Sequence, residues 1–508
     1  MADIRRCVLG VDLGAGAMKV TVVDERGRDL AAVSHAYPTH SPYPGWSEQN
    51  PADWWDALCR CIPAALDAAG VDPKQISAVG FSAGTHSPVL VDGSGHLLRP
   101  AILWSDQRSG AEARELQERH GDEILKIALN WPTPTWTMCQ FLWLQRHEPQ
   151  VASRTARLMM PKDWLRWRLC GEWHTDLTDA VGTLLWDHAA GCWSARLCEM
   201  VGWPIETLPP VVAPSTLVGR VTAAAAEACG LVAGTPLICG TSDTSAEAYA
   251  AGADVGGAGV VKLATAATVS LVGRDPFVHR TLINYPFAIP GLWYTITATN
   301  SCASAHRWLR DNFFMREGDD GSKIFAEMDE MAAQVAPGSD GLLFHPYLLG
   351  ERAPYWDPLL RGDFLGMTMR HNRGHFVRAL YEGIAFSLCD VLGEFRAQGI
   401  EVSQVRIIGG GSRSATWRQI VADVLGVRVE LPERTDASSG VALLAAVAAG
   451  CHADERAARS GGDAVRAVHE PRCAVRDRYA ELHQWYRQSA QQLRELNHAL
   501  SAFERRSA

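Results

Sequence analysis

Cys7-Val-Leu-Gly-Val-Asp-Leu-Gly-Ala-Gly-Ala-Met-Lys-Val-Thr-Val-Val-Asp24 decides how the chain is read. Two apolar runs flank a short Gly/Ala turn, the pattern of a β-hairpin, and Glu25-Arg-Gly-Arg28 leads into a third strand. Asp12 falls at the end of the first strand. Gly14 and Gly16 allow backbone N–H groups to face an anion. The spacing of a P-loop is absent, so a plain hairpin turn is the alternative reading. The pattern returns at Ala258-Gly-Val-Val-Lys-Leu-Ala-Thr-Ala-Ala-Thr-Val-Ser-Leu-Val272, again strand, small-residue turn, strand. Later in each half an apolar strand runs into a polar loop: Ile76 to Ser82 into Ala83-Gly-Thr-His-Ser87, and Val405 to Ile408 into Gly409-Gly-Gly-Ser-Arg-Ser414. A chain that does this twice describes a duplicated α/β fold. Turns of this kind suit phosphates, because exposed N–H groups supply positive potential without a desolvated lysine.

Between the halves stands Leu237-Ile-Cys-Gly-Thr-Ser-Asp-Thr-Ser-Ala-Glu-Ala-Tyr-Ala-Ala-Gly252. It reads as a buried strand, a turn, one carboxylate and a helix whose Ala246, Ala248, Ala250 and Ala251 permit close packing. Asp243 reads as an ordinary N-cap, or as a general base offered from the floor of a cleft. His86, Trp104, Asp106 and Arg108 fall at or beyond strand ends, where α/β sheets place ligands. Trp136 is a candidate for lining a pocket, whereas Trp143, Trp164 and Trp167 read as packing. Residues 102–108 read as a strand end, 111–118 as a helix, 175–186 as loop and strand, 341–351 as a strand, and 375–396 and 476–503 as long helices.

At 508 residues the chain has room for two or three domains. A net charge of −9 and the lack of a basic run argue against nucleic acid. No signal-peptide core follows Met1 and no apolar helix candidate is long enough to span a bilayer. The thirteen cysteines form no C-x-x-C pair, as expected of a reduced, cytoplasmic protein without a zinc or redox motif.

The residues then carry a resemblance. Asp12-Leu-Gly, Pro44-Gly-Trp-Ser-Glu-Gln49, Ile102-Leu-Trp-Ser-Asp-Gln-Arg108, Pro161-Lys-Asp, Asp179 with Gly182-Thr183, Gly350-Glu-Arg and Gly409-Gly-Gly-Ser-Arg-Ser-Ala-Thr-Trp-Arg-Gln-Ile-Val-Ala-Asp423 together resemble the FGGY carbohydrate kinases, and among them the xylulokinases. The resemblance implies two actin-like (ribonuclease H-like) α/β domains with a nucleotide and sugar cleft between them. It implies an N-terminal sugar lobe over 1–250, an ATP lobe over 251–470, a helical tail over 471–508 packing on the lobes, and a homodimer. It also implies ATP and Mg²⁺, with Asp243 as base and Asp12 at the metal. Thr85, His86, Trp104, Asp106 and Thr244 would serve the sugar. Gly14, Gly16, Lys19, Thr265, Ala266, Arg307, Gly410, Gly411 and Ser414 would serve ATP. Phosphoryl transfer fits such a set, since it needs positioning and charge neutralisation more than covalent chemistry.

Two departures bear on the substrate. Xylulokinases commonly carry Gln-Met-His-Gly where this chain has Gly84-Thr85-His86-Ser87, and Asp-Asn where it has Asp243-Thr244. Both phosphate turns also lack the family's usual hydroxyl pair. Three functions follow as expectations: phosphorylation of D-xylulose; the same chemistry on ribulose, fuculose, an alditol or a deoxy-ketose; and a non-catalytic nucleotide sensor.

Overall fold

The computed structural model describes residues 6–254, 258–315, 318–460 and 464–507. They divide into two compact units. The first holds Met1–Gly252, Gly273–Tyr294 and Arg434–Asp463; the second holds Ala253–Val272, Thr295–Glu433 and Ala464–Ala508. The linear division near residue 250 is therefore crossed twice, by two later segments that fold with the first unit.

The first unit is built on strands β1 (Cys7–Leu13), β2 (Ala17–Asp24), β3 (Asp29–Ala36), β4 (Ile76–Ala83), β5 (Leu217–Arg220), β6 (Pro236–Ile238) and β7 (Thr241–Ser242). The sheet runs β3-β2-β1-β4-β6-β5, and β7 pairs with the end of β4. Alternation in β1 explains its two faces. Leu9, Val11 and Leu13 join a core with Trp54 and Leu58 of helix Pro51–Ala69, which Asn50 opens by accepting the Ala52 N–H at 3.1 Å. Gly10 faces the other way, onto helix Ala437–Ala448. A Cβ at Gly10 would lie 1.7 Å from the Ser438 carbonyl oxygen, and one at Gly80 2.2 Å from that of Val441. A Cβ at Gly440, on the same helix, would lie 2.2 Å from the Ala246 carbonyl oxygen. Backbone-to-backbone contact thus ties the sheet, helix Ala437–Ala448 and helix Asp243–Ala250 into one block.

The second unit repeats the plan with β8 (Ala258–Leu263), β9 (Ala267–Gly273), β10 (Trp293–Ala298), β11 (Gln404–Ile408), β12 (Arg428–Pro432) and β13 (Val465–His469), in the order β10-β9-β8-β11-β12-β13. The long helix Arg373–Ala397 starts at Asn372, which forms a capping box with His375. The terminal helix Cys473–Ser507 lies against this unit through Tyr479 and Tyr486, both fully buried.

Several local expectations are corrected. Residues 102–108 hold only the strand Ala101–Ile102, because Asp106 N–H bonds back to Leu103 at 3.0 Å and bends the chain. The helix expected at 111–118 runs Gly110–Ala128. Residues 175–186 contain helix Leu177–Gly182, started by Asp176, which accepts the Thr178 N–H. The strand expected across 341–351 shrinks to Leu343–His345. Among the described residues no helix is long and apolar enough to cross a membrane.

Candidate active site

Strand register assembles the first half of the site. Asp12 on β1 is the partner of Ser82 on β4, and Ser82 is the partner of Thr241 on β7. Asp12, Ser82 and the residue pair before Asp243 therefore reach the same sheet end. The Ser82 hydroxyl donates to Asp12 Oδ1 at 2.8 Å and fixes that carboxylate.

Asp243 is not the N-cap. Ser242 holds that position, its hydroxyl accepting the Ser245 N–H at 3.3 Å. Asp243 is the first helical residue, where a carboxylate is favoured by the helix dipole. Its Oδ1 accepts the Thr244 N–H at 2.6 Å and the Thr244 hydroxyl at 3.2 Å. Its Oδ2 turns toward Gly84: a Cβ at Gly84 would meet it at 4.0 Å and the Trp104 ring at 3.5 Å. Trp104 is 44% exposed, so Asp243, Gly84 and an open aromatic surface adjoin.

The other residues expected to meet the sugar are more enclosed. His86 is buried, and its two ring nitrogens lie 2.6 Å from the Gly182 carbonyl oxygen and 2.6 Å from the Tyr285 hydroxyl. Burial pushes its pKa down to about 4, so the ring is neutral. Thr85 faces the Asp179 carboxyl. Gly182 admits no side chain there, since its Cβ would fall 2.3 Å from Thr85 Oγ1. Asp106 has both oxygens taken, accepting from Arg108 Nε at 2.9 Å, Arg108 Nη2 at 2.7 Å and the Ser47 N–H at 2.6 Å. It braces Arg108, whose guanidinium lies over Trp46. Trp136 is buried with its ring 4.5 Å from that of His86.

Beneath Thr85 lies a cluster that sequence reading matched in fragments without assigning it a part. Lys162 Nζ contacts Asp163 at 2.7 Å, Asp176 at 2.9 Å and Asp179 at 3.0 Å, and Arg166 adds a contact to Asp163 at 2.8 Å. All are buried. Burial pushes Asp179 up to about 7 against the pull of Lys162. Tyr285 was also missed. It lies far along the chain, in a segment that folds back onto the first unit, and no local pattern marks it.

Among the residues expected to serve ATP, the Gly14 N–H closes its own turn onto Ala17 at 3.0 Å, so it is already paired. Gly16 borders open space, and Lys19 pairs with Asp436 at 2.7 Å. In the second unit the turn after Leu263 leaves Thr265 exposed and Ala266 half-buried. That turn is braced. Thr265 carbonyl oxygen accepts the Cys302 N–H at 3.0 Å and the Ser304 hydroxyl at 2.7 Å, and Thr299 exchanges bonds with Ala267. Glu351 holds the brace by accepting the Asn300 N–H at 2.6 Å and the Arg352 N–H at 2.8 Å, and burial pushes its carboxyl up to about 7. Gly409 takes φ +87°, and its Cβ would lie 2.7 Å from the Leu263 carbonyl oxygen, so β11 ends pressed on the turn. Gly410 borders open space, whereas Gly411 is packed on Leu263 and Trp417. Ser414 caps helix Ala415–Leu425 and bonds Asp329; Arg307 is exposed on helix Ala303–Phe313.

Comparison with known proteins identifies what this arrangement belongs to. Residues 7–250 match the N-terminal domain of the FGGY family of carbohydrate kinases, and residues 259–449 match its C-terminal domain. The chain belongs to the FGGY family of carbohydrate kinases. A xylulose kinase of Bacillus subtilis (strain 168) is 31% identical over 506 residues, spanning 98% of this chain and 99% of its own. A gluconokinase of the same organism is 28% identical over 451 residues, covering 87% of this chain and 88% of its own. The crystal structure of a xylulose kinase from Rhodospirillum rubrum superposes with a TM-score of 0.88 at 28% identity, covering 97% of this chain and all of that one. The paired sheets are those of the actin-like ATPase fold. As an FGGY kinase, the protein is a carbohydrate phosphotransferase that uses ATP as its substrate.

Proposed function

We propose that the protein transfers the γ-phosphoryl group of ATP to D-xylulose, giving D-xylulose 5-phosphate, with Asp243 as the general base. The observation that carries this reading is the capping of its helix by Ser242, which frees the Asp243 carboxylate to lie beside Gly84 and the exposed Trp104 ring. Oδ1 is held by the Thr244 N–H, and Oδ2, which faces Gly84, is the oxygen available to accept the proton of a sugar hydroxyl as it attacks phosphorus. Positioned bases of this kind contribute ~10²–10⁴-fold. The near-full-length similarity to xylulose kinases supports the choice of sugar.

Asp12 fits Mg²⁺. Among the described residues no three His, Cys, Asp or Glu side chains cluster as a metal site. A single anchored carboxylate suits an ion that takes its other ligands from phosphate oxygens and water. The bound ion would neutralise charge on the phosphates. Thr265, Gly410 and Arg307 are the groups left open to the nucleotide on the second unit.

A second sugar remains a specific reading, because Thr85 and Thr244 stand where xylulokinases commonly have Met and Asn, and one relative is a gluconokinase. ADP release measured over a panel of ketoses, polyols and gluconate tests both. The expected result is the highest kcat/KM for D-xylulose, lost in Asp243→Ala. A higher kcat/KM for another sugar transfers the assignment to that sugar. ATP binding with no turnover of any sugar removes the kinase reading altogether.

A further inference from the structure

His86 and Tyr285 fix each other's protons, and the geometry decides which way. The Gly182 carbonyl oxygen can only accept, so the His86 nitrogen 2.6 Å from it, Nδ1, carries the proton. A neutral imidazole has one N–H, so Nε2 is an acceptor. The hydroxyl 2.6 Å from Nε2 must therefore donate, and that hydroxyl belongs to Tyr285. We infer that Tyr285 is a positioning residue for sugar recognition: it locks His86 as the Nδ1–H tautomer and leaves its own oxygen as a hydrogen-bond acceptor for a hydroxyl of the sugar. The inference rests on the kinase reading above and adds a residue to it.

Independent features hold this pair in place. His86 has φ +69°, a left-handed backbone conformation uncommon for a non-glycine residue, which persists only when its surroundings impose it. Tyr285 is anchored on both sides. Asn284 N–H donates to Asn130 Oδ1 at 2.7 Å, Asn130 Nδ2 returns a bond to the Asn284 carbonyl oxygen at 2.9 Å, and Thr178 Oγ1 donates to the Pro286 carbonyl oxygen at 3.0 Å. The Tyr285 ring stacks on Tyr294, with centroids 5.1 Å apart. Burial, and then the charge of Asp243, keep the Tyr285 hydroxyl protonated. Nδ1–H is committed to Gly182 and the tyrosine proton to Nε2, so this corner offers a ligand only oxygen lone pairs. Asp243 likewise offers acceptors. The ligand class that suits both is a polyol presenting hydroxyl donors.

Two measurements test this. In ¹⁵N-labelled protein at neutral pH, with the His86 signals assigned by their loss in His86→Gln, Nδ1 is expected in the protonated, pyrrole-type range and Nε2 in the unprotonated range. Protonated Nε2 overturns the inference, whether or not any sugar is turned over. Tyr285→Phe keeps the ring and removes the donor. Loss of one buried partner corresponds to about tenfold or more in the KM for the sugar, with the KM for ATP held within about twofold. An unchanged sugar KM, or equal changes in both KM values, overturns the positioning role and leaves the kinase assignment standing.

Discussion

Gly10 and Gly80 are register partners in the first sheet, and the pair at the matching register of the second sheet is Val260 and Arg406. Counting back from each hairpin turn gives the correspondence: Leu13 and Leu263 are the last paired residues of β1 and β8. The two sheets share one strand order, yet they meet their helices differently. In the first, missing side chains let helix Ala437–Ala448 rest directly on backbone. In the second, ordinary side chains fill the same positions, with Val260 buried and Arg406 placed 3.5 Å from Glu430. At this register the sheet carrying Asp243 meets its helix on contacts that have no slack, whereas the second sheet meets its neighbours through side chains that can adjust.

The largest expected effect attacks that difference. Gly10→Ala places a Cβ where only 1.7 Å separates it from a carbonyl carried by a helix held at two other points. Neither backbone can move alone, so we expect a loss of about 4 kcal/mol or more, seen as insoluble protein or a sharply lowered Tm. Val260→Ala in the second sheet removes two methyl groups and costs about 1–3 kcal/mol. Similar losses for the two variants would show that the close approach does not distinguish the units.

Next comes Asp243→Asn. Ser242 caps the helix, so the exchange leaves the helix start intact and Tm within a few degrees of wild type. Kcat is expected to fall ~10²–10⁴-fold. A fall in Tm with a modest loss of kcat would return Asp243 to a structural part.

How much of this was legible in the sequence follows from the range of the interactions. Both hairpins and the terminal helix depend on neighbours a few residues apart, and each could be read directly. The capping assignment at Asp243 failed by one residue because Thr241-Ser-Asp243 offers three oxygen side chains in a row. Only the pairing of β7 with β4 decides which of them meets a free N–H. Segment Gly273–Tyr294 was out of reach: Asn284 finds Asn130 across 154 residues, and nothing near Tyr285 signals that it will meet His86. The cluster around Lys162 was visible as two scattered motif fragments, but its closure around one ammonium group is a property of the fold.

Glu351 sharpens the comparison on the second unit's side. Glu351→Gln disturbs the N–H acceptor behind the Thr265 turn, so the KM for ATP is expected to rise about threefold to tenfold while the KM for the sugar stays put. Its pH signature has a definite sign. Burial raises the folded carboxyl from 4.5 to about 7, so between those values the folded state binds more protons than the unfolded one. The Glu351 contribution to stability is then fully present below about pH 4.5 and lost as pH climbs to 7, of order 3 kcal/mol in all. Denaturant unfolding of wild type against Glu351→Gln from pH 5 to pH 8 should show wild type losing ground as pH rises. Asp179 in the first unit, also raised to about 7, contributes to both proteins alike and cancels in the difference.

Trp104→Ala carries the smallest expected change in kcat and separates covering of the sugar from aiming of the base. The ring is 44% exposed, so truncation also removes its buried half, and Tm should fall by several degrees. To the site it contributes an apolar face next to Gly84 and Asp243 that a sugar would cover. Withdrawing some 40 Å² of such surface from water corresponds to about 1 kcal/mol, and so to a rise of about fivefold in the sugar KM with kcat nearly unchanged. A loss of kcat as large as that of Asp243→Asn would mean that Trp104 aims the base rather than covers the sugar. The sugar side of the first unit would then owe its precision to an exposed ring as well as to its glycine contacts.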